Sequence, residues 1–215
     1  MIIVSKTEVN QEVFFFLLTV SLFLLSFLKS TYFKHTKLLV KGAFFQRYAN
    51  QFLREENVFT ERVNIITFLL IIINLVVIFM KIAHVNSLFQ IGFLFLVTSI
   101  FFLLKIVFVK IFSKIFMLKG LARVTIFFSF LFDRVCAIFV YPVLVLLCFF
   151  IFDIDDVLML LIGCIFIGFL ILKLFFLWKI GSRSFGISGF YIFLYLCALE
   201  ILPVLLIGKQ LQQLI

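Results

Sequence analysis

A single carboxylate stands inside an almost wholly apolar segment near the carboxyl end of the chain. Glu200 lies in GFYIFLYLCALEILPVLLIGKQL, Gly189 to Leu211, and Pro203 follows it in the same segment. An ionised carboxylate among apolar groups is costly, so we expect Glu200 to be paired or protonated. Pro203 leaves the carbonyl of Leu199 without its helical donor, which predicts a kink beside the carboxylate.

Two interpretations of Glu200 stay open. In the functional one, Glu200 and Pro203 form a proton or ion relay, or a site for a cationic group. In the structural one, Glu200 makes an interhelical hydrogen bond that fixes a bundle. Asn74, in the middle of another apolar run, is its best partner by depth, and Arg134 is better only if its own run begins early. The structural interpretation is favoured because one acid without a second makes a poor relay.

A second polar site is the connection KIGSRSFGISG, Lys179 to Gly189. Arg183, together with Ser182 and Ser184, stands directly before the start of a helix, where backbone N–H groups bind anions. This arrangement is compatible with a lipid-phosphate contact. A tight turn whose arginine sets the membrane topology explains the same residues and is the favoured interpretation.

Residues for metal or cofactor chemistry are sparse. His35 and His84 are expected on opposite membrane faces, so one chain does not supply a bis-histidine haem site. Asp153, Asp155 and Asp156 lack the ligand spacing of a calcium loop. Because enzyme motifs are also missing from the sequence, we expect no metal, no cofactor and no catalytic residue.

The composition of the chain indicates the environment in which these residues lie. The chain has 215 residues, of which 66% are hydrophobic and 13% are charged, and its mean hydropathy is +1.34. Soluble domains are roughly half apolar and a quarter charged, so this is expected to be an integral membrane protein. Its formal charge of +9 falls between apolar runs, as topology signals do, and does not indicate a nucleic-acid partner.

Six apolar runs predict an all-α fold, a polytopic bundle of about six transmembrane helices in a single domain, residues 1–215. Period-2 alternation of the β-barrel kind is missing from these runs. The runs are Val13 to Leu28, Asn64 to Ala83, Leu88 to Val109, Val135 to Phe152, Val157 to Trp178, and Gly189 to Gly208.

The basic residues predict the orientation of the bundle. Fifteen of the 19 lysines and arginines are assigned to three connections on one side, and three to the other side. By the positive-inside rule the first side is cytoplasmic, which predicts a bacterial inner-membrane protein with both termini in the periplasm. The fifteen are Lys29, Lys34, Lys37, Lys41, Arg47, Arg54, Arg62, Lys105, Lys110, Lys114, Lys119, Arg123, Lys173, Lys179 and Arg183.

The start of the fourth run is ambiguous, because the apolar stretch Val124 to Phe152 is longer than one span requires. A helix from Val124 would put Asp133 and Arg134 about 14 Å along it, near the midplane. A span from Val135 leaves this charged pair at the interface and avoids burying it. The second interpretation is preferred, and it makes residues 110–134 a cytoplasmic or interfacial connection.

The first connection, residues 29–63, contains an amphipathic pattern. Val40, Phe44, Tyr48 and Phe52 recur every fourth residue, and Arg47 and Arg54 fall mostly on the other face. This predicts an interfacial helix on the anionic inner leaflet. Docking of a protein partner through the same residues is the alternative.

Three segments carry a resemblance to a known family: QRYANQFLREENVFTERVNIITFLLIIINLVVIFM, FDRVCAIFVYPVLVLL and FYIFLYLCALEILPVLLIGKQL. From Phe44 to Leu211 the chain resembles a domain-of-unknown-function family of small polytopic inner-membrane proteins from Bacteroidota-type bacteria. The resemblance implies an inner-membrane bundle and no established activity. Residues before Phe44 show no clear family pattern.

Two functions are compatible with these features. The favoured one is a non-enzymatic subunit or assembly partner of a membrane complex, whose partners are the lipid bilayer and another membrane protein. The alternative is a small proton-coupled transporter, or a carrier that binds lipid anions, with Glu200 as the coupling acid. The sequence leaves the oligomeric state undetermined.

Overall fold

The computed structural model describes residues 4–55, 58–82, 87–115, 121–149 and 155–184. Every regular element in these ranges is an α-helix, which confirms the all-α bundle. The seven helices are α1 (Val4–Thr31), α2 (Phe33–Phe44), α3 (Gln46–Arg54), α4 (Val58–Ile82), α5 (Leu88–Ile115), α6 (Leu121–Phe149) and α7 (Asp155–Ser184).

Five of these helices contain a stretch long and apolar enough to cross a membrane, so the chain is a multi-pass membrane protein. The stretches are Glu12–Thr31, Val58–Ile82, Leu88–Ile111, Ile126–Phe149 and Val157–Lys179. They correspond to the first five apolar runs of the sequence. The sixth run, Gly189 to Gly208, lies outside the described residues.

Helices α4 and α6 form the centre of the bundle. Over 18 consecutive residues of their spanning stretches, 61% and 56% of the residues are buried, against 22% or less in α1, α5 and α7. Helix α1 lies antiparallel to α4, since Ser21 meets Asn74 while Tyr32 meets Arg62. It is also antiparallel to α6, since Phe15 meets Phe149 while Leu18 meets Tyr141. Helix α7 is antiparallel to α6, because Phe132 contacts Phe176 and Phe139 contacts Phe169.

Helix α6 begins before the preferred start of the fourth span. It runs without interruption from Leu121, so Asp133 and Arg134 lie inside a helix and not at its beginning. Residues 121–134 therefore belong to the same helix as the fourth span, which differs from the single interfacial connection expected over 110–134. The physical reason is that partners on neighbouring helices bind these two charges, which the sequence of one helix does not reveal.

The first connection also differs from the single interfacial helix expected there. The backbone is extended at Phe45, with φ −128° and ψ 115°, and this residue separates α2 from α3. The two helices fold back on each other as a hairpin, α2–α3. Gly42 and Ala49 let them approach closely, since a Cβ added at Gly42 would lie 3.1 Å from the Cα of Ala49.

The α2–α3 hairpin packs alongside the bundle instead of resting on its end. Phe52 of α3 stacks on Phe127, near the start of the apolar stretch of α6. At the hairpin tip, Phe44 contacts Phe139 of α6 and Phe169 of α7. Phe139 is about 20 Å along α6 from Ile126, so the tip reaches about halfway along the span.

Candidate functional site

A charged cluster lies inside the bundle and joins three helices through one carboxylate. Asp133 on α6 accepts from Lys105 Nζ of α5 at 3.2 Å and from Lys173 Nζ of α7 at 2.8 Å. Both lysine side chains are buried, with exposed fractions of 5% and 4%. Removing such charges from water is costly, and mutual attraction with good hydrogen bonding offsets part of that cost.

The three helices bring these charges to one level. Asp133 is about 10 Å along α6 from Ile126, and Lys105 and Lys173 lie about 9 Å before the ends of the spanning stretches of α5 and α7. Because α5 and α7 run opposite to α6, the three positions lie near the same end of the bundle. An isolated lysine in each of two apolar runs thus meets the acid of a third.

Arg134 extends the cluster to α4. Its Nη1 donates to Oδ1 of Asn64 at 2.6 Å. The ring of Phe130 lies 5.9 Å from the Arg134 guanidinium carbon and 5.4 Å from Lys105 Nζ, both measured to the ring centroid, which adds cation–π attraction. Among the described residues, Nε of Arg134 is buried without an acceptor.

A second polar layer lies further along the bundle. Ser21 of α1 donates to Oδ1 of Asn74 at 3.3 Å, and Nδ2 of Asn74 donates to the carbonyl of Ala137 at 2.9 Å. The hydroxyl of Tyr141 donates to the carbonyl of Leu18 at 3.3 Å. Polar pairs of this kind hold helices together in lipid, where the hydrophobic effect does not. Asn74 thus bridges α1 and α6 through its own amide.

The residues expected to dock a membrane or a partner separate into two groups. Phe52 is 2% exposed and stacks on Phe127, so it packs inside the protein and not on its surface. Phe44 is 46% exposed and contacts both α6 and α7 at the hairpin tip, while Tyr48 is half-buried. Arg47 and Arg54 lie on the exposed face of α3.

An open groove runs along that exposed face. It is lined by Arg47, Asn50, Gln51, Arg54 and Glu55. Within it, Nε2 of Gln51 donates to Oε1 of Glu55 at 2.8 Å. The buried side of the same helix presents Ala49 and Phe52 to the bundle. The groove is therefore the polar half of an amphipathic helix whose apolar half is already occupied.

Several residues singled out in the sequence are not placed together by the structure. Glu200 and Pro203 lie outside the described residues, and so do His84 and Asp153. Arg183, Ser182 and Ser184 belong to the last turn of α7, but their side chains are not among those described. His35 stacks on Phe59. In the part of the chain that the structure describes, groups of three or more His, Cys, Asp or Glu with metal-binding geometry are absent.

Sequence reasoning missed the lysines of the charged cluster. The pattern of basic residues places Lys105 and Lys173 in connections, as topology signals, yet both are buried within helices. When Lys105 and Lys173 are left out of the count, the remaining basic residues still favour the same side of the membrane. The sequence signal for them is that each is the single lysine of an apolar segment. Lys105 lies in FFLLKIVF and Lys173 lies in ILKLFF. An intramembrane lysine of this kind calls for a named partner.

Comparison with known proteins gives one family. The model of a domain of unknown function, DUF4271, matches residues 14–211. The match begins well before Phe44, so the expectation that the amino-terminal portion shows no family pattern is wrong. No curated protein and no solved structure is significantly similar to the chain.

Proposed function

The chain belongs to the DUF4271 family, and we propose that this multi-pass membrane protein is a non-enzymatic subunit or assembly partner of a complex in the bacterial inner membrane. The observation that carries the proposal is how the polar groups of its spans are used. Asp133, Asn64 and Asn74 each bind a side chain or carbonyl of another helix. Such contacts fix helix positions.

A rigid bundle suits a role in which shape matters more than movement. The two polar layers tie α1, α4, α5, α6 and α7 to one another. A transporter needs helices that exchange one set of contacts for another, with binding residues that line a cavity. The described polar layers instead make direct contacts between helices.

The orientation that we propose follows the basic residues. The connection before α4, which includes the α2–α3 hairpin, is cytoplasmic, and both termini face the periplasm. In this orientation the charged cluster lies toward the cytoplasmic end of the bundle and the Asn74 layer lies deeper. The partner is another membrane protein.

A second function is a proton-coupled transporter or a carrier for lipid anions that uses Glu200. The early start of α6 favours this second function, because it puts Arg134 within the bundle. Under that condition the sequence makes Arg134 the better partner of Glu200. Lys105 and Lys173 add positive charge at the same level. In this function Glu200 exchanges a proton or an ion, and Pro203 is the flexible point.

Co-purification from the native membrane separates the two functions. A tagged copy is extracted in mild detergent, and the proteins and lipids that remain bound are identified by mass spectrometry. The same is done for Glu200→Gln. A stoichiometric membrane-protein partner in both samples supports the subunit. A protein that purifies alone, with a lipid or metabolite that Glu200→Gln loses, supports the carrier.

Proton flux across liposome membranes is the measurement that could contradict the subunit proposal. Purified protein without any partner is reconstituted, and movement of protons across the bilayer is followed with a pH-sensitive dye. The subunit proposal expects no flux above that of protein-free liposomes. Flux that Glu200→Gln abolishes in a protein that still inserts and folds would overturn it.

A further inference from the structure

The exposed face of α3 concentrates hydrogen-bond donors that suit one phosphate. Arg47 and Arg54 are two helical turns apart on the same face, with Asn50 and Gln51 between them. Planar guanidinium groups bind phosphate oxygens through two parallel N–H donors, and amide side chains add single donors. Glu55 is the acidic residue of the groove, and its carboxylate accepts from Gln51 at 2.8 Å.

The position of the hairpin decides which phosphate reaches these donors. Phe52 lies at the level of Phe127, next to the start of the apolar stretch of α6, so Arg54 lies near the end of that stretch. Arg47 lies about 10 Å further toward the hairpin tip. A groove that descends from the interface into the apolar layer is open to lipid headgroups.

Apolar side chains continue from the groove toward the tip. Phe44 and Phe45 follow Arg47 in that direction and are 46% and 63% exposed. Lys41 lies 5.1 Å from the ring centroid of Tyr48, so a further cation borders the same end of α3. A cationic groove that passes into exposed aromatic rings matches a molecule with an anionic head and hydrocarbon chains.

We propose that the groove on α3 binds the phosphate of an anionic phospholipid. Arg47 and Arg54 hold the phosphate oxygens, Asn50 and Gln51 donate additional hydrogen bonds, and the acyl chains lie along Phe44 and Phe45. The site is independent of the proposed function, because it requires neither a protein partner nor Glu200. The bound phosphate also supplies a negative charge to the arginines of the hairpin. Without it, an arginine at this depth would lie among lipid tails.

Native mass spectrometry of the full-length protein tests this proposal. The protein is reconstituted in nanodiscs of phosphatidylcholine and phosphatidylglycerol in equal amounts and then released, and the retained lipids are counted. We expect wild type to retain one phosphatidylglycerol in preference to phosphatidylcholine. The double change Arg47→Gln with Arg54→Gln should reduce that preference about thirtyfold, since both guanidinium groups that hold the phosphate are lost and the two losses add.

A matched control separates the groove from general surface charge. Lys110→Gln with Lys114→Gln removes the same charge from exposed positions of α5 and should leave the preference unchanged. Arg47→Lys with Arg54→Lys keeps the charge without the planar fork and should give an intermediate loss. An equal loss in the α5 control, or equal retention of both lipids by wild type, would overturn the proposal.

Competition decides between a lipid and a soluble anion. An excess of inorganic phosphate should leave the retained phosphatidylglycerol in place, because the acyl chains contribute to binding. Displacement by inorganic phosphate alone would show that the groove takes a soluble phosphate and would overturn the lipid assignment. Wild-type selectivity tests the proposal even if the arginine double variant does not fold.

Discussion

At the scale of single residues, Asp133 determines how α5, α6 and α7 meet. It accepts from Lys105 and Lys173 on two different helices, and Arg134 beside it holds Asn64 of α4. A buried ion pair contributes modestly when intact, because desolvation offsets attraction, but it is costly to break. The cluster therefore acts mainly as a specificity device, since any other helix register leaves charges apart within the bundle.

Asp133→Asn should lower the free energy of unfolding by about 3 kcal/mol, because two lysines lose the negative charge they share. Unfolding by sodium dodecyl sulfate in mixed micelles measures the change. Lys110→Gln, an exposed lysine of α5, should stay within about 0.5 kcal/mol of wild type. Removing the charges together, by Asp133→Leu with Lys105→Met and Lys173→Met, should restore most of the loss. Wild-type stability in Asp133→Asn would contradict the described cluster.

The Asn74 layer predicts a coupled effect of two residues. Asn74→Leu should cost about 1–2 kcal/mol, because it removes the contacts to both Ser21 and Ala137. Ser21→Ala should cost less than Asn74→Leu. A double-mutant cycle in the same micelles should give a coupling of about 0.5–1 kcal/mol between Ser21 and Asn74. Strict additivity of the two changes would mean that they do not share a hydrogen bond.

At the scale of elements, the α2–α3 hairpin rests on one close approach of backbones. Gly42 faces the Cα, N and Cβ of Ala49, the nearest 3.1 Å from where a Cβ would be. Gly42→Ala forces the two helices apart and should destabilise the protein by about 1–3 kcal/mol. The measurement is the midpoint of thermal unfolding in detergent.

Gly92 of α5 provides the matched control for Gly42. A Cβ added there meets nothing within 4 Å, and alanine is the better helix former. Gly92→Ala should therefore be neutral or stabilise by up to about 1 kcal/mol. If Gly42→Ala proved as stable as Gly92→Ala, the hairpin would not be packed as described.

The helices of this protein are predictable from its sequence because apolar spans in a lipid bilayer are helical. Long apolar runs leave few alternatives, and five runs correspond to spanning stretches in α1, α4, α5, α6 and α7. The α2–α3 hairpin is not predictable from the sequence in the same way. The four-residue period from Val40 to Phe52 is that of one continuous helix, whereas the backbone breaks at Phe45. A break stabilised by Gly42 against Ala49 is a tertiary contact, which periodicity does not record.

The charged cluster was missed for a related reason. Asp133 and Arg134 looked too costly to bury when only their own helix was considered, so the span was expected to begin after them. Lys105 and Lys173 looked like topology signals because each lies toward the basic end of its run. Only the packing of three helices brings the acid and the lysines together. The cost of burying one charge depends on a partner that is distant in sequence.

At the scale of the whole molecule, the basic residues predict the orientation of the bundle. Glu61 is exposed near the start of α4, and Ser87 is exposed directly before α5, at the other end of the bundle. In intact cells, a membrane-impermeant maleimide should label Ser87→Cys from the periplasm, whereas Glu61→Cys should react only after permeabilisation. Labelling of Glu61→Cys in intact cells would invert the proposed topology. The background replaces the native cysteines with alanine, namely Cys136, Cys148, Cys164 and Cys197.

The hairpin also sets an order of events during synthesis. Phe44 and Phe52 are made early, but the rings that receive them, Phe127, Phe139 and Phe169, belong to helices made after α4 and α5. At about 5–20 residues per second, the ribosome leaves α2 and α3 without these neighbours for several seconds. Until then the apolar side of the amphipathic α3 lacks these rings. The hairpin therefore completes its packing late, as one of the closing steps of assembly.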